Sequence, residues 1–372
     1  MTHLSLCCVM LTVLGCLPTS SLGQGTGVDE SGAAELQRIG ASLELLRARN
    51  ARDYAIFGPT SVDEGRYVRL GGIEQWITIR GEDRSNPVIL FLHGGPGDAT
   101  NPWSHAVFRP WLKHFTVVQW DQRGAGRTLG RNGSGIVSSI TTERLTQDGV
   151  ELSEWLRTTL ATERIILVGH SWGSTLGVLM AKARPDLFHA FVGTGQVADP
   201  PRRYGVAYAD LLSKAEASDV DQAVAELRGV GPPPYPNGLG NTVLRKWANL
   251  FEGADVFIMS MLGLALTAPG YTYKDVMDWF EGQGVSADQL VPQTSRLNPD
   301  QLGGDFEVPV FVFQGVEDFT TPTRLASEYV ESIRAPVKAF VTIPGGHFAV
   351  FMESEEFLEE LVTRVRPLAM RQ

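Results

Sequence analysis

The stretch RIILVGHSWGSTLG, from Arg164 to Gly177, decides the fold of this chain. Its first half is an apolar run typical of a buried strand, and its second half is typical of a helix. Between the two halves, the residues GHSWG fit the pattern G-x-S-x-G, in which a sharp turn exposes a serine hydroxyl. The glycines are needed because neighbouring chain passes too close for a Cβ atom. We therefore expect the serine of this turn, Ser171, to be a nucleophile.

Segments with strand and helix patterns alternate on both sides of this turn. The apolar runs NPVILFLH and FTVVQWD precede it, and AFVGTG and VPVFVFQGVED follow it. Apolar runs without polar alternation, separated by helices, predict a parallel sheet buried on both faces. The sequence therefore predicts an α/β fold with a mostly parallel central sheet flanked by helices.

The alternation is interrupted once along the chain. Residues 200–300 contain helical patterns and no convincing core strand, so we expect an inserted helical cap between two parts of the core, 61–199 and 301–372. A linker and an amphipathic helix are expected over residues 24–60. The cap contains the apolar stretch VFIMSMLGLAL, which either packs inside the cap or forms an apolar wall for a substrate.

The first residues form an apolar segment that contains all three cysteines, Cys7, Cys8 and Cys16. The apolar run is too short to span a bilayer, and small residues follow it. We expect residues 1–23 to be a secretory signal peptide, which leaves an exported protein without cysteine or disulfide. The alternative is a lipoprotein anchored to a membrane at Cys16, because VLGC resembles a lipoprotein cleavage box.

Composition excludes several classes of partner and cofactor. The chain has 372 residues and a formal net charge of −10, with the acidic residues scattered. Nucleic acid is not an expected partner, because its binding needs a basic surface. We find no metal-ligand cluster, phosphate loop or nucleotide fingerprint, so no cofactor is expected. The oligomeric state does not follow from the sequence.

A serine hydroxyl needs a base and an orienting acid to act as a nucleophile at neutral pH. His347 is the candidate base, because it lies in a glycine-rich loop after the last predicted strand. His170 is expected to point away from the nucleophile beside it. At the end of the preceding strand, we favour Asp318 over Glu317 as the acid. The order Ser171, Asp318, His347 is that of an α/β-hydrolase.

Two backbone N–H groups are expected to stabilise the oxyanion of the reaction. One belongs to Trp172, directly after the nucleophile. The second is expected from Gly95, in the turn HGGPG that follows the strand NPVILFLH. A glycine-rich turn at this place lets the backbone approach a ligand closely.

Three motifs together resemble the prolyl iminopeptidase branch of the α/β-hydrolases, a family of serine peptidases. They are HGGPG, DQRGAGRT (Asp121 to Thr128) and GHSWGSTLG, and the resemblance covers roughly residues 85–200 and 305–350. It implies the α/β-hydrolase fold and the same three catalytic residues as above. In DQRG, the first and third residues, Asp121 and Arg123, are expected to pair and hold loops beside the site.

The resemblance implies an aminopeptidase that releases N-terminal proline, or another small residue, from peptides through an acyl-enzyme. In that family, acidic cap residues bind the free amine of the substrate. Here the candidates are Glu252, in KWANLFEG, and Glu281, in DWFEG. Because this segment departs from the family pattern Trp-x-x-Trp-Glu, the alternative is a carboxylesterase or lactonase that acts on a small apolar acyl substrate with the same triad.

Overall fold

The computed structural model describes residues 30–236, 238–297 and 299–370. The predicted signal peptide and Cys16 lie outside the described residues. In the described part of the chain, eight strands form one sheet. They are β1 (Val62–Leu70), β2 (Ile73–Gly81), β3 (Val88–Leu92), β4 (Thr116–Trp120), β5 (Ile165–His170), β6 (Phe188–Thr194), β7 (Val310–Gly315) and β8 (Lys338–Ile343).

The spatial order of the strands is β1-β2-β4-β3-β5-β6-β7-β8. Strands β1 and β2 pair antiparallel, as do β2 and β4, and every other neighbouring pair is parallel. The predicted fold class, a mostly parallel sheet flanked by helices, is therefore confirmed. Parallel strands end at the same edge of the sheet, so the loops after β3, β5, β7 and β8 meet there.

The central strands are apolar throughout because both faces of the sheet are covered. Along β3, Leu90 and Leu92 belong to one hydrophobic cluster, whereas Ile89 and Phe91 belong to a second cluster. Successive side chains of a strand point to opposite faces, so each run supplies both clusters. All five residues of β3 are buried.

Helices cover both faces of the sheet and form the insertion. The helices outside the insertion are α1 (Glu30–Asp53), α2 (Asn101–Val107), α3 (Gly126–Asn132), α4 (Thr142–Thr159), α5 (Trp172–Ala183), α12 (Thr323–Ser332), α13 (Ala349–Met352), α14 (Ser354–Glu360) and α15 (Arg366–Met370). Shorter helical turns cover Arg109–Lys113, Gly133–Ser139, Pro185–Leu187 and Leu361–Val365.

The insertion lies between β6 and β7 and forms a helical cap. Its helices are α6 (Pro200–Ala217), α7 (Asp221–Val230), α8 (Leu239–Phe251), α9 (Ala254–Leu266), α10 (Tyr273–Thr294) and α11 (Pro299–Leu302). Among the described residues, no single helix has the length and hydropathy to cross a membrane. Only α8 and α9 taken together, which meet at 89°, pass that test by length and composition.

The apolar stretch of the cap corresponds to α9, and it is only partly buried. Met261, Ala265 and Leu266 are buried, whereas Val256 is 76% exposed. The ring of Phe257 stacks on Phe351 at 5.7 Å between centroids, within an aromatic group that extends to the catalytic loops. One face of α9 therefore packs inward, on the hydrophobic cluster that includes core residues such as Trp103 and Phe351, and not in the separate cluster of the cap.

Candidate active site

Ser171 lies at the turn between β5 and α5, in a strained backbone conformation with φ of +53° and ψ of −121°. A Cβ atom on Gly169 would lie 2.3 Å from the carbonyl oxygen of Gly173. A Cβ atom on Gly173 would lie 2.1 Å from the carbonyl oxygen of Leu92. Real Cβ atoms do not approach so closely, so both positions need glycine. This crowding is the physical reason for the glycines of the G-x-S-x-G pattern.

The structure brings together the three side chains of the predicted triad. The Ser171 hydroxyl lies 3.1 Å from Nε2 of His347, and Nδ1 of His347 lies 2.9 Å from Oδ2 of Asp318. Asp318 follows β7, and His347 follows β8. The other candidate acid, Glu317, instead forms an ion pair with Lys214 of the cap. Geometry therefore favours Asp318 as the residue that orients the imidazole.

A set of hydrogen-bond donors holds the Asp318 carboxylate. Its Oδ1 accepts the backbone N–H groups of Thr320 and Thr321, at 2.9 and 2.7 Å. Its Oδ2 accepts Nε2 of Gln314 and the hydroxyl of Thr321, both at 2.8 Å. Donors on both oxygens fix the orientation of the carboxylate. Asp318 is thereby held in place as the hydrogen-bond partner of His347.

The charges around His347 favour its protonated form. Burial lowers the pKa of the imidazole, but the charge and hydrogen bond of Asp318 outweigh burial, with a further contribution from the charge of Glu252. The pKa of His347 is therefore raised above its ordinary value. An imidazole with a raised pKa binds the serine proton more strongly while the serine oxygen attacks the scissile carbonyl carbon.

His170 contacts the loop that contains the catalytic histidine. Its ring lies 4.9 Å from the His347 ring, centroid to centroid, and its Nε2–H group donates to the carbonyl oxygen of His347 at 3.0 Å. Burial, and then the neighbouring His347, lower the pKa of His170 to about 3. His170 is thus a neutral donor that points away from the Ser171 hydroxyl and positions the His347 backbone.

The two expected oxyanion donors belong to Trp172, the residue after the serine, and to Gly95, in the turn after β3. Trp172 is the first residue of α5, and among the described residues its N–H group has no acceptor. Gly95 has φ of +105°, a conformation that favours glycine. The turn abuts the nucleophile, because a Cβ atom on Gly94 would lie 3.1 Å from Cβ of Ser171. The turn therefore lies beside Ser171, and the N–H group of Gly95 stays the predicted second donor.

The motif DQRG supports these donors, but not through the predicted ion pair. Arg123 pairs with Asp148 of α4 at 2.7 Å, so the prediction that it pairs with Asp121 is wrong. The buried Asp121 instead accepts a hydrogen bond from Asn101 at 2.7 Å. The sequence could not show this, because Asp148 lies 25 residues further along the chain. The motif does hold loops beside the site, but with different partners.

The second residue of that motif, Gln122, supports the oxyanion region directly. Its Oε1 accepts the indole N–H group of Trp172 at 3.0 Å, and its Nε2 donates to the carbonyl oxygen of His93 at 3.3 Å. Its backbone N–H group donates to Nε2 of His93 at 3.2 Å. Gln122 therefore links the turn after β3 to the start of α5. The sequence did not predict this role, although the residue lies inside the DQRG motif.

Glu252 lies beside the triad, and its role as an amine ligand stays a prediction. Its Oε1 accepts the backbone N–H group of Phe319 at 2.9 Å, and its Oε2 accepts that of His347 at 2.8 Å. Burial, and then the charge of Asp318, raise the pKa of Glu252 to about 7. One cap carboxylate thus ties the acid loop to the base loop.

Glu281 is not brought to the triad. It lies on α10 with an exposed side chain, and no described contact joins it to the catalytic loops. Water screens an exposed carboxylate, so this position would bind an ammonium group only weakly. The role of Glu281 as a substrate ligand therefore stays a prediction, with no described contact to support it. Within the described ranges, no group of three or more His, Cys, Asp or Glu side chains is arranged to hold a metal ion.

The fold and the site together define an α/β-hydrolase. The sequence model of the α/β-hydrolase fold family matches residues 87–354. A proline iminopeptidase of Neisseria gonorrhoeae is 32% identical over 321 residues, which cover 81% of this chain and 96% of the relative. The chain therefore belongs to the proline iminopeptidase branch of the α/β-hydrolase family.

Two further similarities agree with this assignment. A probable aminopeptidase of Bacillus subtilis (strain 168) is 26% identical over 299 residues, which cover 79% of this chain and 93% of the relative. A solved structure of a proline iminopeptidase-related protein from Thermus thermophilus matches with a TM-score of 0.59 at 20% identity. The match covers 83% of this chain and 99% of that chain. At this level of identity the structural likeness shows the fold.

Proposed function

We propose that this protein is a serine aminopeptidase that releases N-terminal proline, or another small residue, from short peptides. The observation that carries the proposal is the hydrogen-bonded chain from Ser171 through His347 to Asp318 at the carboxyl edge of the sheet. Membership of the proline iminopeptidase branch supports the choice of substrate.

In the first half of the reaction, the Ser171 hydroxyl attacks the scissile carbonyl carbon and transfers its proton to Nε2 of His347. Asp318 accepts the Nδ1–H hydrogen bond and stabilises the imidazolium that forms. The N–H groups of Trp172 and Gly95 stabilise the oxyanion. The imidazolium then protonates the leaving amine, the C–N bond breaks, and an acyl-enzyme remains on Ser171.

In the second half, water replaces the leaving peptide. His347 accepts a proton from that water while its oxygen attacks the acyl carbonyl carbon. The tetrahedral intermediate collapses, the ester bond to Ser171 breaks, and the serine oxygen recovers its proton from His347. Free proline leaves, and the enzyme returns to its starting state.

The cap favours short substrates and cleavage at a chain end. Helix α10 packs directly on the turn beside the serine, where a Cβ atom on Gly97 would lie 2.2 Å from the carbonyl oxygen of Gly282. Phe319 of the acid loop is buried in the hydrophobic cluster of the cap. A peptide that continued in both directions through this covered site would clash with the cap, whereas an N-terminal residue would not.

The test is turnover of L-proline para-nitroanilide, of its N-acetylated form and of a short para-nitrophenyl ester. We expect wild type to cleave the free-amine anilide and to lose this activity on N-acetylation. The Ser171→Ala variant should lose about 10⁴-fold or more in kcat on every substrate. Turnover of the ester alone, still dependent on Ser171, would instead identify the carboxylesterase or lactonase.

We also propose that the chain is exported, with residues 1–23 removed or with Cys16 lipidated. The apolar leader and the confinement of all cysteines to it support this proposal. Fractionation of expressing cells and N-terminal sequencing of the mature protein test it. Detergent-dependent release that is lost in Cys16→Ala would indicate the lipoprotein, and an intact N-terminus in the cytosolic fraction would contradict export.

A further inference from the structure

The cap consists of two parts that pack on different neighbours. Helices α6, α7 and α8 form a hydrophobic cluster of their own, and among the described residues its one member from outside these helices and their connections is Phe319 of the acid loop. Helices α9 and α10 instead contribute residues such as Met261 and Trp279 to a cluster of the core. Of the described part of α6–α8, only Val206, in the second turn of α6, belongs to a core cluster. Helices α6–α8 therefore form a unit with few apolar contacts to the core.

The two junctions of this unit with the rest of the chain are suited to pivoting. Helices α8 and α9 meet at 89°, and Gly253 between them has φ of +66°. A Cβ atom on Gly253 would have no atom within 4 Å, so its backbone has room to change conformation. At the other junction, Ala198 is buried in a core cluster and α6 begins at Pro200. Hinges are commonly a few residues at the ends of helices, as here.

We propose that α6–α8 form a lid that opens as one unit between these two junctions, and that its closure positions the acid and base loops of the triad. The proposal goes beyond the proposed aminopeptidase function, because it concerns access to Ser171. It holds for a peptide and for an ester alike.

The ion pairs between the lid and the core are exposed. They are Lys214–Glu317, Asp210–Arg324 and Arg202–Glu328. Each of the six side chains is about a third exposed or more, so water screens the pairs and they contribute little to the closed state. These contacts guide the lid to its closed position without preventing it from opening.

Two buried contacts connect the lid to the catalytic loops. Phe319 directly follows Asp318, and its ring lies 6.5 Å from that of Phe251, at the end of α8. Glu252, the next residue, accepts the backbone N–H groups of Phe319 and His347. When the lid opens, Phe319 loses its apolar surroundings and both N–H groups lose their acceptor. Closure therefore fixes the loops that carry the acid and the base.

The triad offers little surface to a substrate while the lid is closed. Asp318 and His347 are 3% and 5% exposed, and Ser171 is half-buried. Helices α9 and α10 are attached to the core, so α6–α8 are the part of the cap that is free to move away. A lid of this kind admits substrate when open, and it excludes water and completes the site when closed.

The first experiment locks the lid with a reversible crosslink. Asp210 lies on α6 and Arg324 on α12, so Asp210→Cys and Arg324→Cys together allow the lid to be joined to the core. Cys7→Ser, Cys8→Ser and Cys16→Ser leave no other cysteine. The crosslinker is a bis-maleimide with a disulfide in its spacer. We expect turnover to fall by about tenfold or more, and dithiothreitol, which cleaves the spacer, to restore it.

Each single-cysteine variant, treated in the same way, is the control and should keep the wild-type rate. Crosslinked enzyme that turns over at the uncrosslinked rate would overturn the lid, and so would a loss that dithiothreitol does not restore. The rate is measured on whichever substrate wild type cleaves, the proline anilide or the ester. Failure of the proposed aminopeptidase function is thus distinguishable from failure of the lid.

The second experiment tests whether closure positions the acid loop. Phe319→Ala removes the ring from the lid cluster, so kcat should fall about tenfold while KM stays near wild type. Phe319→Leu keeps an apolar side chain and should recover most of kcat. Leu227→Ala is the matched control, because Leu227 is fully buried on α7 in the same cluster. It should lower the Tm of the enzyme without lowering kcat.

Two results would contradict a positioning role for Phe319. Wild-type kcat in Phe319→Ala would show that the acid loop does not depend on the lid. Equal losses of kcat in Phe319→Ala and Leu227→Ala, in proportion to their losses of Tm, would show that the ring only stabilises the fold.

Discussion

The sheet edge and the cap contribute to the same site in different ways. At the sheet edge, Ser171, Asp318 and His347 each follow a parallel strand, and the sheet brings the three strand ends together. The cap residues Glu252 and Trp279, which contact core loops, belong to a helical insertion whose order along the chain says little about their spatial neighbours. The positions of the catalytic residues therefore follow from the topology of the sheet, whereas substrate selectivity depends on packing between the cap and the core.

Glu252 connects the two regions. It belongs to the cap, yet its carboxylate accepts N–H groups from the acid and base loops. Asp98 is the reverse case, because it belongs to a core loop and is oriented by cap side chains. The comparison thus predicts that Glu252 affects catalysis of every substrate.

The largest effect is expected from Asp318→Asn at the sheet edge. The amide removes the charge that stabilises the His347 imidazolium and favours the wrong tautomer, so kcat should fall by about 10⁴-fold. Kinetics on the para-nitrophenyl ester measures the loss. Glu317→Gln is the control, and it should stay near wild type because Glu317 contacts the cap residue Lys214. Equal losses in both variants would remove the basis for choosing Asp318.

A smaller effect is expected from Glu252→Gln. The amide keeps one acceptor for a backbone N–H group but cannot accept both, so kcat should fall roughly tenfold on the anilide and the ester alike. Removal of the negative charge also lowers the pKa of His347, because Glu252 helps to raise it. The base is then deprotonated at lower pH, and the acid limb of kcat/KM should shift to lower pH. A loss confined to the proline substrate, with no shift in the pH profile, would contradict this role.

The smallest effect is expected from Glu281→Gln on the exposed face of α10. Because its carboxylate is exposed and contacts no catalytic loop among the described residues, kcat/KM should stay within about twofold of wild type, as at ordinary surface positions. Steady-state kinetics on the proline substrate checks this. A selective rise in KM would identify Glu281 as an amine ligand and would show that the outer surface of the cap determines substrate selectivity.

The sequence predicted the core better than the cap for physical reasons. A pattern such as G-x-S-x-G reflects crowding between residues that are close together along the chain. A loop that follows a parallel strand lies at the carboxyl edge of the sheet, so its location can also be predicted. The partner of Arg123 could not be found in this way, because Asp148 reaches it across the packing of α4. Nor could the contact of Asp98 with Trp279 of α10 be found, because it depends on how the cap packs on the core. The location of Asp98 directly after HGGPG was the available signal.

Covalent labelling with a fluorophosphonate tests most directly the claim that bond breaking resides at the sheet edge. The label reacts with an activated serine, and peptide mass spectrometry locates it. We expect one label, on Ser171, which forms far more slowly in Asp318→Asn and at the wild-type rate in Glu317→Gln. A label on another residue, or equal slowing in both variants, would contradict the claim that Ser171, His347 and Asp318 break the bond at the sheet edge.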